Sequence, residues 1–116
     1  MVIKFKDIYP EELKAPRGGK GTASAMSYLA MRGIKGTFKT FNMMSLDPNS
    51  AIGYHKHETD AECYLLIEGQ ARYNDNGEIF IVDEGDLMFC DKGQSHAIET
   101  IGSEGITFLA FIMDIE

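Results

Sequence analysis

What this chain has little of narrows its chemistry before any motif is read. Cysteine is limited to Cys63 and Cys90, which stand far apart and form no CxxC pair. That spacing speaks against a zinc–thiolate site, and without a secretory pattern at the start it speaks against a disulfide too. Both are expected as small buried hydrophobes. Positive charge is also scarce, with 11 Lys and Arg against 18 Asp and Glu, a net charge of −7. A surface of that sign suits neither a nucleic-acid backbone nor an anionic membrane, so no nucleic acid and no membrane is expected as a partner. Arginine is confined to Arg17, Arg32 and Arg72. A pocket that clamps a di-anion by bidentate forks has little to draw on, although one well-placed arginine would suffice. Long hydrophobic runs are missing as well. The longest, Phe108 to Met113 (FLAFIM), is too short to span a bilayer. Met1 to Lys6 alternates apolar and charged residues instead of building the apolar centre of a signal peptide. A cytoplasmic location is the expectation.

What remains is ordinary globular material: 116 residues, 44% apolar and 25% charged. That is enough for one domain with a real core. The first thirty-odd residues read as a leader, broken by Pro10 and Pro16 and carrying the glycine-rich RGGKGT from Arg17 to Thr22. This stretch lacks the GxxxxGK[ST] spacing of a phosphate loop and reads as a flexible or packing segment. The domain boundary is set between residues 33 and 34, with the leader packing on the barrel or on a partner subunit. SAMSYLAMRG (Ser24 to Gly33) leans to strand over helix.

From Gly36 onward the signals are short strands and turns. TFKTFNMMSL, AIGYHKH, ECYLLIEG, LMFC, SHAIET and ITFLAFIMDI are strand-like, and DPNS, DEGD and DKGQ are turns. ARYNDNGEIFIV (Ala71 to Val82) is a hairpin around Asn76-Gly77, the strongest short turn signal. Many short strands without a strong amphipathic helix predict an all-β antiparallel sandwich or barrel.

The chemistry concentrates in GYHKHETDAECYLLIEG, Gly53 to Gly69. Side chains two apart on a strand share a face, so His55 and His57 project together, into a barrel or out to solvent. Paired imidazoles suit Zn, Cu, Fe or Ni, although such pairs also occur by chance on exposed strands. A turn in the polar ETDA lets Glu62 open the next strand towards the same pocket. His96 follows a glycine turn on a later strand and strengthens the case. By parity Tyr64 shares the face of Glu62, while Tyr54 and Cys63 face away. Tyr64 is a candidate substrate hydrogen bond or a packed aromatic. Phe41, Met43, Met88, Phe108 and Met113 are pocket-lining candidates or plain core.

At these residues the chain resembles the cupin superfamily of jelly-roll barrels, also called double-stranded β-helices. The family's first motif is G, five residues, HxH, three or four residues, E, six residues, G. His55, His57, Glu62 and Gly69 match it, with Asn49 in place of the leading glycine. The second motif is G, five residues, P, one residue, G, two residues, H, three residues, N. Gly85, Gly93 and His96 match it, while Asp91 replaces the proline and Thr100 the asparagine. Asn49 tolerates a left-handed backbone. Asp91 is expected to loosen its turn, and Thr100 to touch a supporting role and not a ligand.

The resemblance implies one divalent metal per chain (Fe, Mn, Ni or Zn) held by His55, His57, Glu62 and His96, with two coordination positions open. It implies a small-molecule ligand or substrate and a small metal-dependent enzyme of the dioxygenase, decarboxylase or isomerase class. The alternatives are a non-catalytic ligand-binding or sensing barrel and a barrel with a structural metal. Small cupins also pair through edge strands, so a homodimer is expected.

Overall fold

The computed structural model describes residues 1–29 and 38–114. The boundary between residues 33 and 34 lies outside them. Ten strands are present among the described residues: β1 (Glu11–Lys14), β2 (Thr22–Ser27), β3 (Phe38–Leu46), β4 (Ala51–Lys56), β5 (Asp60–Glu68), β6 (Ala71–Asp75), β7 (Glu78–Val82), β8 (Leu87–Cys90), β9 (Ser95–Thr100) and β10 (Ile106–Asp114). They form two antiparallel sheets, one ordered β1-β2-β3-β10-β5-β8 and the other β4-β9-β6-β7. This is the jelly-roll sandwich expected from the strand pattern. Among the described residues no helix is long and apolar enough to cross a membrane.

Alternation explains most of it. Along β9 every second residue is buried, His96, Ile98 and Thr100, with half-buried neighbours between. Tyr64 and Leu66 of β5, Met44 and Leu46 of β3, and Ile106, Phe108 and Ala110 of β10 fill the space between the sheets. Phe108 is fully buried, and cutting it to alanine would cost about 3–5 kcal/mol. The β6–β7 hairpin closes as predicted, with positive φ at both Asn76 (52°) and Gly77 (98°), the type I′ geometry that matches strand twist.

The N-terminal segment is not a loose leader. β1 and β2 extend the six-stranded sheet by pairing with each other and with β3 of the same chain. SAMSYLAMRG is strand as far as Ser27 and turns at Tyr28 and Leu29.

The outer face of the six-stranded sheet carries two of the pocket-lining candidates, Phe41 and Met43, which line an apolar hollow with Tyr28, Leu29 and Leu109. On β3 it is Thr40, Asn42 and Met44 that line the interior cavity. Phe41 and Met43 therefore face outward, where Phe41 packs edge-on against Phe111 at 4.5 Å. The interior wall is the polar one near its open end, with Thr40 and Asn42 in its lining. Strand register arranges the outer residues in two cross-strand rows, Phe41–Phe111–Cys63–Phe89 and Met26–Met43–Leu109–Leu65–Leu87. Cys63 is thus half-buried and not core, whereas Cys90 is buried.

Candidate metal centre

β4, β5 and β9 bring the histidines and the glutamate together. His55 and His96 are direct cross-strand partners, and His57 directly follows β4. A bulge sets this register: Ile52 faces Ile98 and His55 faces His96, so Gly53 and Tyr54 together oppose one residue of β9. The extra residue lets Ile52 and His55 both point inward despite their odd spacing, while Tyr54 points to solvent. β5 begins at Asp60, which places Glu62 inward beside them.

One ligand atom from each of His55, His57, Glu62 and His96 lies within 4.8 Å of all the others. His57 Nε2 is 3.0 Å from Glu62 Oε1 and 3.1 Å from His96 Nε2, and His96 Nε2 is 3.1 Å from the same glutamate oxygen. His55 Nε2 stands off at 4.0 Å from that oxygen. Each imidazole is held from behind through Nδ1. His55 donates to the Gly53 carbonyl at 2.7 Å, His57 donates to Asp60 at 2.7 Å, and His96 shares a 2.8 Å hydrogen bond with the Tyr73 hydroxyl. Partners on Nδ1 leave Nε2 as the converging atom, the arrangement metal-binding histidines adopt. Tyr64 stacks on the His96 ring at 4.9 Å and 18°.

The electrostatics follow from this packing. Burial pushes the Glu62 carboxyl up, but hydrogen bonds from His57 and His96 overcome it and bring it down to about 2. His57 is raised chiefly by its bond to Glu62, with burial opposing and Asp60 assisting. Both carboxylates lie within hydrogen-bond distance of His57, Asp60 at Nδ1 and Glu62 at Nε2. His55 is lowered, mainly by burial, with the charges of His96 and Arg17 contributing. Burial first, then the Glu62 charge, drives the Tyr64 phenol well above its ordinary value. Burial likewise drives Tyr73 upward and Cys90 to about 11.

An open cavity of about 540 Å³ reaches the cluster, lined by His55, Glu62 and Tyr64, by Thr40 and Asn42 of β3, and by Arg17. Met88 is buried opposite Tyr64 and lines a separate hollow with Tyr73 and Phe80. Phe108 packs under Tyr64 as core. Asp60, Tyr73, Thr40, Asn42 and Arg17 were not singled out from the sequence as site residues. Asp60 had a readable signal, an acid three residues after His57, but Tyr73 and Arg17 arrive only through tertiary structure.

The three motif departures are accommodated. Asn49 takes the left-handed backbone at φ 58°. Asp91 does not loosen its turn: it accepts from Lys92 N through its side chain at 2.7 Å and from Gln94 N through its carbonyl at 3.0 Å. Thr100 ties β9 to Ser50, donating through N to the Ser50 carbonyl at 3.0 Å and accepting from Ser50 N at 3.1 Å.

Comparison with known proteins agrees with this geometry. Residues 42–112 match the model of the cupin domain. An oxalate-binding protein of Thermotoga maritima is 36% identical over 113 residues, covering 97% of this chain and 93% of that protein. The crystal structure of a predicted oxalate decarboxylase from Thermotoga maritima superimposes with a TM-score of 0.90 at 36% identity, over 99% of this chain and 100% of that one. A polyketide cyclase from Streptomyces resistomycificus shares the fold with a TM-score of 0.78 at 18% identity, over 100% of this chain and 85% of that one.

Proposed function

Since the chain belongs to the cupin domain family, we propose that His55, His57, Glu62 and His96 hold one divalent metal ion and that a small carboxylic acid of the oxalate class is its ligand. The observation that carries this reading is the convergence of three Nε2 atoms and a carboxylate, each imidazole braced through Nδ1. The similarity to a protein named for oxalate binding supports the ligand class. When bound, iron or manganese supplies a Lewis acid with accessible redox chemistry, and zinc or nickel a Lewis acid. The chain's own residues bind and orient: the four ligands fix the ion, and Tyr64 offers a neutral phenol as hydrogen-bond donor in the cavity wall.

In the first reading the centre turns its ligand over, as a decarboxylase, dioxygenase or isomerase. In the second it holds the ligand without turnover. Both readings fit a centre whose four converging side chains have an open cavity beside them. The test is to load the protein separately with Fe(II), Mn(II), Ni(II) and Zn(II), titrate oxalate calorimetrically, and assay formate and CO₂. Binding with product selects the first reading and binding without product the second. Failure of every metal to bind wild type, with His57→Ala indistinguishable from it, sinks both.

We further propose a homodimer, joined through the outer face of the six-stranded sheet and not through edge strands. Two cross-strand rows of apolar side chains, with Leu87 61% and Phe89 45% exposed, give that face apolar surface for a partner to cover. Leu109→Glu is expected to convert a dimer to a 12.9 kDa monomer in sedimentation. A reducing cytoplasm suits the two free thiols.

A further inference from the structure

We propose that Arg17 is the carboxylate-recognising residue of the cavity, pairing with the free end of a small acid whose other end is held at the histidine–glutamate cluster. The inference rests on the metal–carboxylate reading above and adds what selects the ligand. Arg17 lines the same 540 Å³ cavity as His55 and Glu62.

The segment that carries Arg17 is a built structure. The backbone is left-handed at Ala15 (φ 44°) and Arg17 (φ 53°), a conformation that non-glycine residues avoid unless their surroundings impose it. The surroundings are specific. Lys20 and Ala51 exchange backbone hydrogen bonds at 3.1 and 2.8 Å, and Ala15 N donates to the Gly21 carbonyl at 2.9 Å. A Cβ on Gly19 would fall 1.9 Å from the Ala51 carbonyl oxygen, and one on Gly53 would fall 2.2 Å from that of Arg17. The RGGKG stretch is therefore seated on the bulge of β4, two residues before His55. Its glycines serve close backbone approach, and its arginine is delivered to the cavity.

Arg17 is also uncommitted. Arg72 is paired with Glu99 at 2.8 Å, whereas Arg17 makes no ion pair or side-chain hydrogen bond among the described residues. Its guanidinium is thus free to meet a ligand's carboxylate beside the candidate metal centre, where Lys14 of β1 also lines the cavity. Thr40 and Asn42 present a hydroxyl and an amide to the same cavity, also without a side-chain partner among the described residues. Glu11 and Glu12, at the opposite end of β1 from this segment, put acid on the rim. That distribution favours a compact acid of few carbons seated at the Arg17 end, and disfavours a long diacid.

The experiment titrates oxalate into Mn(II)-loaded wild type, Arg17→Gln, Arg17→Lys and, as a surface control, Arg72→Gln. Manganese content and melting temperature are measured on the same samples. Arg17→Gln is expected to keep its manganese and melting temperature while oxalate affinity falls roughly 10- to 100-fold, the loss of a charge-assisted contact. Arg17→Lys should recover part of the loss, and Arg72→Gln should match wild type. Metal-loaded Arg17→Gln that binds oxalate like wild type overturns the role of Arg17 and leaves the metal–carboxylate reading standing. Wild type that holds manganese yet binds no oxalate overturns both.

Discussion

Asp60 offers the sharpest check on the candidate centre, because it is not itself a proposed ligand and reaches the centre through His57. Its Oδ1 accepts from His57 Nδ1 at 2.7 Å, while Oδ2 accepts from Lys39 Nζ at 3.2 Å. A carboxylate behind an imidazole fixes the ring's tautomer and orientation and raises its donor strength, and losing such a partner typically costs 10- to 100-fold in metal affinity. The two effects separate by substitution. Asp60→Asn keeps a carbonyl oxygen of the same reach, so the tautomer survives and the charge is lost; affinity should fall about tenfold, ~1.4 kcal/mol. Asp60→Ala removes acceptor and charge together, and the loss should approach 100-fold, ~2.7 kcal/mol. The assay is competition for Zn(II) against a chelating dye at fixed pH and ionic strength, with thermal denaturation of the metal-free proteins as the control for folding. His57→Ala sets the floor. If folded Asp60→Ala binds Zn(II) within twofold of wild type, Asp60 does not position His57 and the bracing argument fails for that ligand.

Other outcomes follow from the same geometry. In the metal-free protein, the raised proton affinity of His57 adds stability below its unfolded value near 6.5 that is lost as pH rises through the higher folded value. Glu62, lowered from 4.5 to about 2, adds stability above 4.5 that is lost as pH falls towards 2. Urea midpoints measured across pH should show both limbs, and His57→Gln should flatten the alkaline one; an unchanged alkaline limb would refute the assignment. Metal loading should reverse the alkaline trend, since the ion displaces the proton. Gly19→Ala forces a methyl onto the Ala51 carbonyl and should cost about 3 kcal/mol, read as a lower melting temperature with faster proteolysis at RGGKG. Asn49→Ala should cost about 1 kcal/mol and Asn49→Gly little or nothing, since φ there is 58°; equal melting temperatures would show that the turn relaxes.

The histidine pair, Glu62 and His96 were legible because period-two alternation and short turns fix facing directions locally, and their spacing matched a known pattern. The β6–β7 hairpin was legible for the same reason, through Asn76-Gly77. Alternation alone did not say which of the two faces of β3 is inside. Phe41 and Met43 were read as pocket-lining or plain core, and they line an outer hollow while Thr40 and Asn42 line the cavity beside the cluster, because a wall beside a polar centre need not be apolar and an outer face need not be wet. Asp91 misled for a different reason. Proline stiffens a turn through its ring, and aspartate reaches a comparable result through hydrogen bonds that the sequence does not announce. RGGKGT was read as a flexible or packing segment, and it packs against β4. What it carries to the cavity became visible only when Gly19 and Gly53 were seen back to back.

The bulge on β4 separates two tasks within a single residue. Deleting Tyr54 would turn Gly53 and Tyr54 back into one position opposite β9, and Ile52 and His55 would then alternate regularly across from Ile98 and His96. The imidazoles would keep their inward direction, while the N-terminal segment would lose the widened step on which it sits. A barrel shortened in this way should still gather its ion but should no longer choose among acids. On the proposed reading, capture and selection thus occupy neighbouring peptide units.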